Sequence, residues 1–132
     1  MIIDAHAHIF PDKIAERAVG GIGEFYGMKV DYDGTLWTLL REGGEAGVDR
    51  YIVQSVATVP EQVTAINNFI AGCVERYPEK LIGFGALHPD FADIAGETER
   101  IISLGLKGIK LHSDFQRFNI DDERAFPIYE AA

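Results

Sequence analysis

The order of the apolar segments along the chain constrains its fold more than any other feature. Four segments have the short apolar runs of buried strands, at residues 2–10, 50–57, 80–89 and 106–112. Helical segments lie between and after them, near 12–19, at roughly 35–46, at 60–77, at 92–104 and from about Asp121 or Asp122 onward. Strands that alternate with helices predict a parallel sheet of right-handed βαβ units, and therefore an α/β protein.

Local signals support the helical assignments. The segment 60–77 carries apolar residues at every third or fourth position and begins at Pro60, as an amphipathic helix does. Asp33 is predicted to be the N-cap of the helix at 35–46, and Gly47 is predicted to end it. The only cysteine, Cys73, lies on the apolar face of the helix at 60–77 and is predicted to belong to the core.

Length and charge limit the classes of protein to be considered. With 132 residues and 47% hydrophobic content, residues 1–132 are expected to form one domain. The formal net charge of −9 disfavours nucleic acid and anionic membrane as partners, and it suits small metabolites or cations. No segment has the roughly 20 apolar residues of a membrane span. One cysteine cannot form an internal disulfide, so a cytoplasmic location is expected.

The opening segment, "IIDAHAHIF" at residues 2–10, places two histidines where a buried strand would have Val or Ile. Asp4, His6 and His8 follow at a spacing of two, which on a regular strand turns all three side chains to one face. Neutral imidazole is a common ligand of zinc, so His6 and His8 are candidate metal ligands. The alternative at this point is a pair of solvent-facing histidines on a half-exposed strand.

The positions of the other histidines favour the metal-site interpretation. His88 and His112, like His6 and His8, fall toward the carboxyl ends of predicted strands. In parallel α/β folds the crevice beyond these ends is where ligands bind. For His88 alone, which precedes Pro89, an imidazole that only hydrogen-bonds a neighbouring loop is an equally good interpretation.

Lys110 is a second candidate site residue. It shares strand parity with His112 in "GIKLH", so both side chains are expected on the same side of the sheet. A lysine there is costly unless it is paired, deprotonated or modified. Its candidate roles are a carbamate that bridges metals, a cation that holds a substrate carboxylate, or a proton donor. The alternative is an amine that extends to solvent at the rim.

Three motifs, in order, resemble those of the metal-dependent amidohydrolase superfamily. They are "IDAHAHIFP" at the start, "GFGALHPD" at 83–90, and "GIKLH" followed by "DFQRF" within 108–118. The most similar branch is amidohydrolase-2, which includes aminocarboxymuconate semialdehyde decarboxylase. The resemblance implies a (β/α)8 TIM barrel with a divalent metal, usually zinc, at the C-terminal rim. It also implies that His6 and His8 are the metal ligands of the first strand. Lys110 and His112, which their strand positions single out, are the candidate catalytic residues.

The resemblance covers about half of such a barrel. A complete barrel takes about 250 residues, so four βα units are expected to form its N-terminal half, as a piece of a longer enzyme or as a half-barrel. The implied function is hydrolysis or non-oxidative decarboxylation of a small, acidic metabolite by metal-activated water. Two alternatives stay open. One is a catalytically incomplete half-barrel that acts as an assembly module, with a homodimer closing the barrel. The other is a non-catalytic α/β domain that binds a small ligand.

Overall fold

The computed structural model describes all 132 residues and consists of parallel strands joined by helices. The strands are β1 (Ile3–His8), β2 (Arg50–Gln54), β3 (Leu81–Gly83), β4 (Gly85–Ala86) and β5 (Ile109–Lys110). The α-helices are α1 (Asp12–Tyr26), α2 (Leu36–Glu45), α3 (Val63–Arg76), α4 (Ile94–Ser103), α5 (Ser113–Gln116) and α6 (Phe126–Ala131). Short 3₁₀ turns at Pro60–Gln62 and Glu123–Ala125 precede α3 and α6. None of the helices combines the length and the apolar character that spanning a lipid bilayer requires.

The strands follow one another in space as they do in sequence. β2 pairs in parallel with β1 on one side and β3 on the other, and β4 pairs in parallel with β5. Only Phe84 separates β3 from β4, and its N–H donates to the carbonyl oxygen of Val53 in β2. The predicted strand at 80–89 is therefore one extended passage in two short pieces. The four predicted parallel strand positions are confirmed, as is the α/β class.

Two glycines in this passage let the helices approach the sheet closely. A Cβ on Gly83 would lie 2.6 Å from Leu106 and 2.8 Å from Val74, and one on Gly85 would lie 2.8 Å from Ile101. The main core joins buried residues of the strands to helical residues that include Ile70, Cys73, Ile101 and Ile128. The core position predicted for Cys73 is confirmed.

The helix ends differ from the sequence prediction in two places. Thr35, not Asp33, is the N-cap of α2, because the Thr35 hydroxyl accepts the Thr38 N–H. The Asp33 carboxylate instead accepts from the N–H and hydroxyl of Thr35 and from the Thr38 hydroxyl, which lowers the pKa of Asp33. Gly47, with φ of 80°, ends the helix as predicted. Helix α1 continues to Tyr26 rather than ending near residue 19, although glycines within it disfavour a helix.

A buried polar cluster links α3 and α4 to the sheet. The Asn67 side chain accepts the Ala86 N–H and donates to the Ala86 carbonyl, so it takes the place of a strand neighbour. It also donates to Glu97, which receives two hydrogen bonds from Arg100. The contacts with Arg100, and then that with Asn67, lower the pKa of Glu97 although its burial opposes this.

Candidate metal site and the surrounding cavity

The first strand contains a bulge that decides which of its side chains face the candidate site. Asp4 pairs with Tyr51 of β2, but the next matched pair is Ala7 with Val53, so β1 has one extra residue between them. Asp4 therefore shares the face of Tyr51, whereas His8 pairs with Gln54 on the opposite face. The prediction that Asp4, His6 and His8 lie on one face is wrong for Asp4, although Asp4 also borders the cavity that the two histidines line. Its carboxylate accepts the backbone N–H of His6 at 3.0 Å and braces the bulge.

The two histidine rings converge, as the sequence predicts for metal ligands. The Nε2 atoms of His6 and His8 lie 3.0 Å apart, and the ring centroids are 5.1 Å apart. Two nitrogens that each lie about 2.1 Å from one ion are roughly 3.0 to 3.4 Å apart when the angle at the ion is between 90° and tetrahedral. The separation fits one ion held by both rings. No group of three or more His, Cys, Asp or Glu side chains converges in this chain, so it offers two protein ligands at this position.

The surroundings keep both rings neutral at physiological pH. Burial, followed by the nearby His6, Lys110 and His112, lowers the pKa of His8 to about 4. Burial and Lys110 also lower the pKa of His6, against the opposing effect of Asp4. Each neutral ring therefore has one nitrogen lone pair that can bind a metal ion near pH 7.

A cavity of about 700 Å³ opens beside the two histidines. Lys110 and His112 line it together with His6 and His8, as their strand parity predicts. Lys110 is partly buried, its burial lowers its pKa, and it makes neither a hydrogen bond nor an ion pair within the chain. The catalytic roles of Lys110 and His112 stay predictions, and both residues line the cavity.

His112 sits where β5 ends and α5 begins. Its Nδ1 accepts the Phe115 N–H at 3.4 Å, and its Nε2 lies 3.0 Å from the Tyr26 hydroxyl. The backbone N–H of His112 donates to the buried Gln116 side chain, which itself donates to the carbonyls of Ala57 and Leu87. Gln116 thus ties together the segments that follow three different strands. The sequence analysis did not identify Gln116, because its role depends on contacts with residues far away in the chain.

His88 does not take part in this site. It is buried, it does not line the cavity, and its Nδ1 accepts the N–H of Asp90 at 3.1 Å. The expectation that all four histidines meet at one site is therefore wrong for His88. The alternative interpretation, an imidazole that hydrogen-bonds a neighbouring loop, is the one that applies to it. The physical reason is that the Pro89–Asp90 turn brings a backbone donor to the ring before it can reach the cavity.

Aromatic side chains form part of the cavity wall. Phe10, Tyr26 and Phe115 line it, whereas Trp37 is 69% exposed and lies outside it. A second cavity of about 590 Å³ lies between α1 and α3. It shares four lining residues with the first, namely His8, Phe10, Ile22 and Phe115. Space is therefore available on both sides of His8.

A parallel arrangement of βα units, with paired imidazoles at the carboxyl end of the first strand, is that of one part of a TIM barrel, a class of protein in which ligands bind at the C-terminal rim. Comparison with known proteins specifies the class further. The chain belongs to the amidohydrolase family, whose model, described as Amidohydrolase, matches residues 3–132.

Similar proteins include decarboxylases and a hydratase. A 67-residue stretch is 36% identical to 2-amino-3-carboxymuconate-6-semialdehyde decarboxylase of Dictyostelium discoideum, covering 49% of this chain and 19% of that protein. The fold is similar to that of 4-oxalomesaconate hydratase from Rhodopseudomonas palustris, with a TM-score of 0.66, 21% identity and coverage of 98% of this chain and 48% of the other. It is equally similar to 5-carboxyvanillate decarboxylase from Novosphingobium aromaticivorans, with a TM-score of 0.66, 21% identity and coverage of 99% and 47%. That structure contains manganese and 4-hydroxy-3-methoxy-5-nitrobenzoic acid. The chain thus spans about half the length of the solved structures that it matches.

Proposed function

We propose that this chain provides the first-strand metal ligands and part of the substrate cavity of an enzyme that hydrolyses or decarboxylates a small, acidic metabolite. The observation that carries the proposal is the 3.0 Å separation of the His6 and His8 Nε2 atoms at the open end of a parallel sheet. The family membership and the decarboxylase and hydratase relatives support it.

The roles of the chain's own residues follow from their positions. His6 and His8 would hold a divalent ion, which when bound supplies an activated water and polarises the bond that is attacked. Lys110 brings an ammonium group without a counter-ion into the cavity, so it would bind a carboxylate of the substrate. Phe10 and Phe115 contribute apolar surface to the wall of this cavity.

We propose zinc as the resident ion. Among the divalent first-row metals, manganese is bound most weakly by a given set of ligands. The same ligands therefore bind zinc more tightly than manganese. Manganese, which the carboxyvanillate decarboxylase structure contains, is the competing candidate. Titration with each ion separately decides between them.

Metal binding is the first experiment. The purified chain is stripped with a chelator and titrated with Zn²⁺ or Mn²⁺ by calorimetry, alongside His6→Ala, His8→Ala and the control His88→Asn. The asparagine amide in this control would keep an oxygen that accepts the Asp90 N–H. We expect one ion per chain, lost in the first two variants and retained in the control. Equal binding by all four proteins would contradict the metal site, and tighter binding of Mn²⁺ would contradict the choice of zinc.

We also propose that a second copy of this chain covers the free edge of β1 and closes the barrel. β1 has a neighbour on one side only, and Ile2 and Ile3 are 57% and 45% exposed there. An uncovered strand edge of this kind pairs readily with another chain.

Analytical ultracentrifugation tests this dimer. We expect association that strengthens with salt, because each copy carries a net charge of −9 and screening reduces the repulsion. Ile3→Lys would weaken the dimer, while Ile102→Lys, at a residue of α4 that is 67% exposed, would not. A monomer at all salt concentrations would contradict the proposal and leave the metal-site proposal intact.

A further inference from the structure

The hydroxyl of Tyr26 occupies a fixed position at the cavity. Tyr26 is the last residue of α1, and Gly27, in the left-handed region with φ of 63°, turns the chain away immediately afterwards. The Tyr26 ring lies edge-on to Phe115 of α5, with centroids 5.9 Å apart, and to Phe25 at 4.9 Å. Phe25 and Phe115 are themselves 4.5 Å apart. These three rings hold the end of α1 against α5, although the two elements are far apart in the sequence.

The hydrogen bonds of His112 determine whether the Tyr26 hydroxyl acts toward this ring as a donor or as an acceptor. The His112 Nδ1 faces the Phe115 N–H at the start of α5, so this nitrogen is an acceptor and carries the lone pair. In a neutral imidazole the proton then resides on Nε2, which donates to the Tyr26 oxygen at 3.0 Å. The Tyr26 O–H hydrogen is consequently not used by His112.

The Tyr26 hydroxyl has no other hydrogen-bond partner in the chain. Tyr26 is 49% exposed and lines the same cavity as His6, His8 and Lys110. The Tyr26 oxygen accepts the His112 Nε2–H, so the Tyr26 O–H is free to donate a hydrogen bond to a molecule in the cavity. Lys110, which lacks a counter-ion, presents a second donor to this space.

We propose that Tyr26 is a substrate-positioning residue whose hydroxyl, oriented by the His112 Nε2–H, donates a hydrogen bond to an oxygen of the carboxylate-bearing molecule bound in the cavity. His112 acts through Tyr26 and is its positioning residue, so it does not itself contact that oxygen. This inference rests on the proposed function, since it takes the same cavity as the substrate site.

Nuclear magnetic resonance of chain labelled with ¹⁵N-histidine tests the orientation of the pair. We expect the neutral His112 ring to carry its proton on Nε2 alone. The His112 signals are identified by their absence from His112→Gln. Tyr26→Phe, which retains the aromatic contacts, should speed exchange of the Nε2 proton with water. Tyr32→Phe is the matched control, because Tyr32 lines the same cavity and makes no hydrogen bond. A proton on Nδ1, or no effect of Tyr26→Phe, would overturn the pair.

Ligand binding tests the donor role of the Tyr26 hydroxyl. The probe is 4-hydroxy-3-methoxy-5-nitrobenzoic acid, and its binding to the Mn²⁺-saturated chain is measured by calorimetry. We expect Tyr26→Phe to weaken probe binding by about 2- to 13-fold, the range for one net hydrogen bond, and Tyr32→Phe to leave it unchanged. Equal affinities of wild type and Tyr26→Phe, or no probe binding by the metal-loaded wild type, would overturn the inference. A wild-type chain that binds neither Mn²⁺ nor Zn²⁺ would overturn the proposed function instead, and the donor role with it. The metal titration therefore separates the two failures.

Discussion

Asp4 of β1 lies opposite Tyr51 of β2, on the face of the sheet away from His8, because a bulge adds one residue to β1 between Asp4 and Ala7. The Asp4 carboxylate nevertheless affects the candidate metal site, since it accepts the backbone N–H of His6 inside that bulge. The backbone conformation that brings His6 toward His8 is thus held by a side chain on the other face.

This relationship predicts that Asp4 sets the metal affinity without being a ligand. Asp4→Ala removes the acceptor for the His6 N–H, and we expect weaker zinc binding together with a loss of about 1 kcal/mol in the free energy of unfolding. Asp4→Asn keeps an oxygen that accepts the N–H and should bind zinc nearly as the wild type does. Calorimetric zinc titration of the three proteins measures the effect. If Asp4→Ala bound zinc with the affinity of the wild type, the hydrogen bond from the His6 N–H to Asp4 would not be needed to hold the bulge.

A second prediction concerns Gln116, which is only 3% exposed. Its side chain accepts from the His112 N–H and donates to the carbonyls of Ala57 and Leu87. Gln116→Leu would leave these three backbone groups buried without partners, so we expect a loss of about 3 kcal/mol or more in the free energy of unfolding. Urea unfolding followed by circular dichroism measures it. A loss below about 1 kcal/mol would mean that water replaces the amide, contrary to the burial of the site.

The lowered pKa of Glu97 leads to the prediction that the stability of the fold depends on pH. The hydrogen bonds of Glu97 to Arg100 and Asn67 hold its pKa in the folded protein below that in the unfolded chain. The carboxylate therefore stabilises the fold at pH values above its unfolded pKa, and this contribution is lost as the pH falls through the folded pKa. Glu97→Gln should be less stable than the wild type by about 1 to 3 kcal/mol near pH 7, because it loses hydrogen bonds between charged groups.

The pH series of urea unfolding curves distinguishes this linkage from a simple packing defect. We expect the gap between wild type and Glu97→Gln to shrink as the pH drops below about 4.5, near the ordinary pKa of glutamate. A gap of constant size down to the acid limit of the folded state would contradict the lowered pKa.

The glycines offer a matched pair of substitutions. Gly83→Ala places a methyl group within 2.6 Å of Leu106 and 2.9 Å of Ile70, so we expect a loss of about 1 to 3 kcal/mol from overpacking. Gly72→Ala in α3 meets nothing within 4 Å, and it should stabilise the protein by up to about 1 kcal/mol through helix propensity. Thermal and urea unfolding report both. Similar effects of the two substitutions would contradict the close approach of α3 to the sheet at Gly83.

Much of the architecture could be predicted from the sequence because it is encoded locally. The alternation of apolar runs and helical spacing predicted the four parallel strand positions in order, and the spacing of His6 and His8 predicted two rings that converge. The core position of Cys73 followed from helical periodicity in the same way. Each of these features depends on residues that are neighbours along one strand or one helix.

The remaining features were decided by tertiary structure, since they depend on contacts between residues far apart in the chain. The face occupied by Asp4 depends on the register between β1 and β2, in which Asp4 pairs with Tyr51. The alternation of side chains along β1 alone does not predict that register. The Tyr26 hydroxyl and the His112 ring, separated by 86 positions in the sequence, meet only when α1 and α5 pack together. Periodicity therefore determined which segments become strands and helices. Packing decided which polar groups meet, because hydrogen bonds form wherever the folded chain brings donor and acceptor within about 3 Å.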